Sequence, residues 1–129
     1  MCLIDAVISW DASHIVCHSE RHRAPDNPLK NGKHLSAIHG IEFAAQAMAA
    51  HRGLIAGGVS APHVGLLLSV RNCRFLASRL DDISEDLSIK ASVVGSSGNT
   101  QTYEFEVVAG ERRLLEGRAS VMLQRDDAQ

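Results

Sequence analysis

Little in this sequence carries a strong compositional bias, and each shortage narrows what the protein can be. Three prolines, with no linker, repeat or low-complexity stretch, fit a single domain spanning residues 1–129. Cys2, Cys17 and Cys73 are odd in number, far apart and never in a C-x-x-C arrangement. They are expected as reduced thiols of a cytoplasmic protein rather than as a disulfide framework. Aromatic residues reach only 4 %, and the formal net charge is −2. That leaves neither an aromatic ladder for single strands nor a basic footprint for nucleic acid. No apolar run approaches the roughly 20 residues of a membrane-spanning helix, so no membrane role is expected. The opening MCLIDAVISWD lacks a basic start and reaches Asp5 within a few residues, unlike a signal peptide. What is present is apolar content of 45 % over 129 residues. A chain of that length buries roughly 65–70 % of its unfolded surface, enough for a core without metal or disulfide.

The hydrophobic pattern organises the chain. Residues 2–20 read as two short strands around a turn at Trp10-Asp11-Ala12-Ser13, and RHRAPDNPLKNGK (21–33) as a loop. A long helix is expected from Ser36, as N-cap, to Ile55, with Gly57-Gly58 as its stop. LLLSVRNCRFLASRL (66–80) reads as a strand region. LSIKASVV (87–94) and TYEFEVV (102–108) alternate cleanly, joined by a turn in GSSGN, and after AGERR the segment LLEGRASVML is the last strand. The order is strand, strand, one apolar helix, then three or four antiparallel strands. A helix rich in Ala, Ile and Met needs a sheet curled around it, and such a sheet has open edges that favour dimerisation.

Inside the helix, Glu42 shares a face with Ile38, Ala45, Gln46 and Ala49. Two readings stand. A carboxyl desolvated in an apolar stripe holds its proton and serves as a general acid. Alternatively, Glu42 lies at the edge of the stripe, reaching solvent or pairing with an arginine.

GIEFAAQAMAAH (40–51) resembles the helix of the beta-hydroxyacyl-(acyl carrier protein) dehydratases, in which a carboxylate and a glutamine sit one turn apart, as Glu42 and Gln46 do here. The segments 69–94 and 114–123 are similar to that family's later strands. The likeness is stronger for dehydratase-like proteins of aryl-polyene or polyketide-type pathways, which carry a similar NPL…GIE-AAQAMA-H segment. The resemblance implies an α+β hotdog fold, a long central helix wrapped by a curved antiparallel sheet. It also implies an acyl carrier protein with a phosphopantetheine-linked substrate as partner, and no cofactor or metal.

The family's catalytic histidine lies in a His-Phe-Pro loop before the helix, with Pro-Gly at the helix start. Here Ser36-Ala37 replaces Pro-Gly, and Pro28 or Asn27 occupies the histidine position. Neither is a base. Substitutes lie nearby: His22 in the same loop is the first candidate, His39 near the helix start the second, and His34 a third. Free N–H groups near His39, Gly40 and Ile41 are candidates to hold the thioester oxygen. Gly40 either admits the substrate closely or merely relieves packing. Cys17, His18, His22 and His14 lack the spacing of a zinc site, and Asp81, Asp82, Glu85 and Asp86 read as a solvated turn. Arg21, Arg23, Lys30 and Lys33 face only Asp26 between residues 21 and 34, which is either a docking patch for an acidic carrier protein or a solvated loop.

Together these features point to dehydration of a 3-hydroxyacyl thioester to a trans-2-enoyl thioester, with His22 as base, Glu42 as acid and Gln46 orienting it, in a homodimer or a heterodimer of hotdog subunits. The rivals are a non-catalytic subunit that partners an active dehydratase and a thioesterase in which Glu42 activates water.

Overall fold

The computed structural model describes residues 2–57 and 64–125. Two of its strands, Leu87–Ser97 and Thr100–Ala109, are segments whose side chains alternate between apolar and polar. The first pair, β1 (Ala6–Trp10) and β2 (His14–Ser19), meets across the expected turn. There the Asp11 carboxylate accepts the Ser13 and His14 N–H groups at 2.8 and 2.9 Å, the local bond that makes Asp a turn residue. The later strands are β3 (Val64–Phe75), β4 (Leu87–Ser97), β5 (Thr100–Ala109) and β6 (Arg112–Arg125). Gly98 and Gly110, each at φ 60°, close the β4–β5 and β5–β6 hairpins in a backbone region that favours glycine. All pairings are antiparallel, in the order β1-β2-β4-β5-β6-β3.

One helix, α1 (Gly40–Ile55), packs on this sheet against β2, β4 and β5. Its inward stripe is Phe43, Ala44, Ala47, Met48 and His51, all buried. The sheet answers with Ile15, Cys17, Ile89, Ala91, Tyr103, Phe105 and Val107, also buried. This is the expected α+β arrangement of a central helix on a six-stranded antiparallel sheet. The three thiols are free and lie at three depths: Cys2 exposed, Cys73 intermediate and Cys17 in the core.

Two boundaries differ in instructive ways, and a third falls where it was expected. Ser36 caps a 3-10 turn (Ala37–His39) that leads into α1, not α1 itself, and its Oγ accepts the Ile38 N–H at 3.3 Å. Gly57 ends the helix as expected, at φ 101°, with its N–H donating to Leu54 O; Gly58 lies outside the described residues. The strand expected over residues 66–80 stops at Phe75. Beyond it the chain leaves the sheet to hold the helix lead-in: Ser78 O accepts the Ala37 N–H at 3.0 Å and the Leu80 N–H donates to Leu35 O at 2.8 Å. Asp81 completes this seam by accepting the Leu35 N–H at 2.8 Å. The Arg79 guanidinium beside it holds the Asp81 carboxyl well below the usual carboxylate range.

Candidate active site

Where Glu42 lies follows from which side of α1 faces the sheet. Phe43 and Met48 are its two bulky apolar residues in the middle turns, and they turn inward with the small Ala44 and Ala47. Glu42 is thereby carried to the open side, its side chain 49 % exposed. The buried position expected for it is corrected; of the two readings, the edge of the stripe is the one found, with a histidine rather than an arginine as partner. His39 Nδ1 lies 2.8 Å from Glu42 Oε2, one turn earlier on the same face.

Below this pair is a cleft of about 360 Å³ lined by Leu3, Pro28, Leu29, Glu42, Ala45 and Gln46. Sites for small molecules run from roughly 300 to 1,000 Å³, so it is small but adequate. Its walls are mostly apolar, and its polar groups sit on α1. Pro28 and Leu29 are brought there by Asn27, which is buried and bridges its own loop: Nδ2 donates to Arg21 O at 2.8 Å and Oδ1 accepts the Leu29 N–H at 2.9 Å. Asn27, one of the two residues that the resemblance sets at the catalytic histidine's position, therefore shapes the loop. Gln46 Oε1 accepts the Leu3 N–H at 2.6 Å, so this oxygen is engaged by the N-terminal segment.

The other expected site residues lie elsewhere. His22 is fully buried, its Nε2 3.1 Å from Ile83 O, and it is not among the residues lining the cleft. Its Nδ1 is buried without a hydrogen-bond partner. Burial pushes its pKa down from the ordinary value, the Ile83 carbonyl acting in the opposite sense. The loop that carries the family's base turns its histidine into the core here. His34 is exposed.

The helix start is also engaged, from Ala37 to Gly40. The N–H groups of Ala37, Ile38 and His39 donate to Ser78 O, Ser36 Oγ and Ser36 O, and that of Gly40 to the carbonyls of Ala37 and Ile38. The 3-10 lead-in thus uses the donors that a bare helix N-terminus would offer to an oxyanion. The free N–H groups expected at His39 and Gly40 are corrected accordingly. Gly40 itself is buried, and a Cβ built on it would collide with Leu115 Cδ2. Packing against β6 accounts for that glycine.

Of the expected basic patch, Arg21 pairs with Asp5 at 3.0 Å, and Arg23 bridges Glu20 and Asp86, which also meets His18 Nε2 at 2.8 Å. Lys30 and Lys33 remain without an ion pair among the described residues. The sequence reading did not single out His51 and Tyr103. His51 Nδ1 lies 2.6 Å from the Tyr103 hydroxyl and Nε2 2.7 Å from Asp11 O, while Arg52 Nε donates to that hydroxyl at 2.9 Å. The signal was available: His51 is eight residues after Phe43, in phase with the inward stripe.

Among the described residues no helix is long and apolar enough to cross a membrane. The solved structures similar to this chain share its architecture. The dehydratase heterocomplex ApeI:P from Xenorhabdus doucetiae matches at TM-score 0.81 and 20 % identity, over 97 % of this chain and 84 % of that one. AziG from S. sahachiroi matches at 0.66 and 14 %, over 93 % and 90 %. The thioesterase HI1161 from Haemophilus influenzae matches at 0.63 and 10 %, over 92 % and 77 %. At these identities the likeness is one of fold, and the fold is the hotdog. A comparison with curated protein sequences finds no match. The family model of the ApeP-like proteins, described as ApeP dehydratase, matches residues 1–129 from end to end, and with the helix, sheet and cleft in place the chain belongs to the ApeP-like dehydratase family.

Proposed function

We propose that this protein takes part in dehydrating 3-hydroxyacyl thioesters carried on an acyl carrier protein, with His39 and Glu42 as the reacting pair. The observation that carries this reading is their 2.8 Å contact beside an apolar cleft. In the tautomer with Nδ1–H donating to the Glu42 carboxylate, the His39 Nε2 lone pair is the free base. It takes the alpha proton, and the electron pair moves into the thioester carbonyl. The resulting imidazolium is held by Glu42, as in other carboxylate-oriented histidines. Collapse of the enolate expels the beta oxygen, which takes the proton back from His39 and leaves as water. The thioester already acidifies the alpha carbon, so no metal or organic cofactor enters. Lys30 and Lys33, on the loop that walls the cleft, supply a positive surface for an acidic carrier protein.

The test is the absorbance of the conjugated enoyl thioester formed from a 3-hydroxyacyl carrier-protein substrate. Glu42→Gln and His39→Ala are each expected to slow it by about 10²-fold or more. Full rate in either variant overturns the pairing. Release of free thiol in place of conjugation would mean a thioesterase.

A second reading has its own support. The donors from Ala37 to Gly40 are used internally and Glu42 lies half open, so a lone protomer offers little to stabilise an oxyanion. The similar ApeI:P structure is a heterocomplex. In this reading a second hotdog chain covers Glu42 and supplies the missing groups. Silence of the pure protein, with activity on adding such a chain, would establish it.

A further inference from the structure

The cleft under Glu42 runs down α1 toward a segment that belongs to no helix or strand. Residues 2–5, ahead of β1, form a strap tied at three points. Leu3 N–H donates to Gln46 Oε1 at 2.6 Å, Leu3 O accepts from Ser19 Oγ at 2.5 Å, and Asp5 N–H donates to His18 O at 2.9 Å. Between these ties the Leu3 side chain is driven inward, 3 % exposed, and forms a wall of the cleft. The strap is thus fixed on one side to the helix and on the other to β2.

The cleft has a polar end and an apolar end. Glu42, the partner of His39, marks the first; Leu3 stands one helical turn further along, at Gln46. The other apolar walls are Pro28, Leu29 and Ala45. Apolar chain leaving a reacting carbon held at Glu42 gains by turning away from the charged pair and along these side chains. Its run ends at Leu3. One turn of helix rises about 5.4 Å, and at about 1.5 Å per C–C bond that is room for roughly four carbons.

We propose that Leu3 is the end stop of the acyl site and limits the length of acyl chain beyond the reacting carbon, and that Gln46 positions it by holding the strap. This rests on the acyl-thioester reading of the cleft, although not on which reaction follows binding.

Two measurements separate the two claims. The first is kcat/KM over a series of 3-hydroxyacyl thioesters from butyryl to dodecanoyl, with the partner chain present if activity needs it. The second is calorimetric affinity for the matching saturated acyl thioesters, which cannot dehydrate. A pocket distinguishes one methylene by about 10–200-fold. Leu3→Ala is therefore expected to raise the long-to-short ratio about ten-fold or more in both series, and Leu3→Phe to lower it. Gln46→Ala should raise the ratio less than Leu3→Ala does. Gln46→Glu, which keeps an oxygen for the Leu3 N–H, should restore it. Should dehydration be absent while the affinity ratio still moves, the end stop stands and the dehydratase reading fails. If the ratio stays put in folded Leu3→Ala and Leu3→Phe, with circular dichroism like the parent, the end stop is wrong. The same holds if the saturated thioesters do not bind at all.

Discussion

Each end of α1 carries a histidine, and the two are built for opposite purposes. At the start, His39 is partly open and holds through Nδ1 the Glu42 carboxylate, which is itself a wall of the cleft. At the far end, His51 has no exposed surface and both ring nitrogens are engaged, one by the Tyr103 hydroxyl and the other by the Asp11 carbonyl. Nε2 must be the donor to that carbonyl, which leaves Nδ1 to accept from Tyr103, with Arg52 donating to the same hydroxyl. Burial pushes the His51 pKa down and the Tyr103 pKa up, so both stay neutral around pH 7. A histidine with no spare nitrogen fixes structure: it fastens the helix end to β5 and to the β1–β2 turn. A histidine with a spare nitrogen and a carboxylate to orient it is available for chemistry.

The sharpest way to break this contrast is to remove each partner in turn. Glu42→Gln is expected to reduce dehydration by about 10²-fold or more with a near-unchanged urea midpoint. Tyr103→Phe should do the reverse. Leaving Nδ1 of His51 and the Arg52 guanidinium without the hydroxyl in a buried place costs about 1–3 kcal/mol, readable in urea unfolding, while turnover per folded molecule holds. If Tyr103→Phe cost activity and not stability, the two ends would have been assigned the wrong way round.

Acid sharpens the comparison further. Both His51 and His22 are pushed below the ordinary value of 6.5, chiefly by burial. Below that value the unfolded chain binds protons that the folded chain refuses, so stability is full above it and falls as pH drops. Thermal midpoints measured between pH 8 and pH 5 should decline on the acid side, and less steeply in His51→Gln. At the bottom of the scale is the outer face of the sheet. Arg118 meets Glu104 at 2.7 Å, but both are well exposed, and Arg118→Ala should change stability by no more than about 1 kcal/mol.

The same contrast shows what a sequence can and cannot disclose. The strands were legible because β4 and β5 alternate with bulky residues, as in Tyr103, Phe105 and Val107 against Glu104 and Glu106. The helix was legible as a helix, but not its facing. Ala44, Ala45, Ala47, Ala49 and Ala50 surround Glu42 with side chains small enough for either side, and only the Phe43, Met48 and His51 spacing reveals the inward one. Ser36 was recognisable as a cap; that it caps a 3-10 turn was not, because the helix lead-in is held by distant partners in residues 78–81. The tie between Leu3 and Gln46 joins positions with no shared periodicity, and no local pattern encodes it.

The free thiols lie at graded depths, and that grading gives the molecule its own reporters. Cys2 is exposed and adjoins the strap residue Leu3, so an alkylating reagent should reach it while everything else remains closed. Cys17 lies beneath α1, with burial raising its pKa to about 11, so its labelling waits for the sheet and helix to part. Followed by mass spectrometry in one sample, the Cys2 rate would give the thiol reactivity of the closed molecule, and the Cys17 rate set against it would time the opening of the whole core.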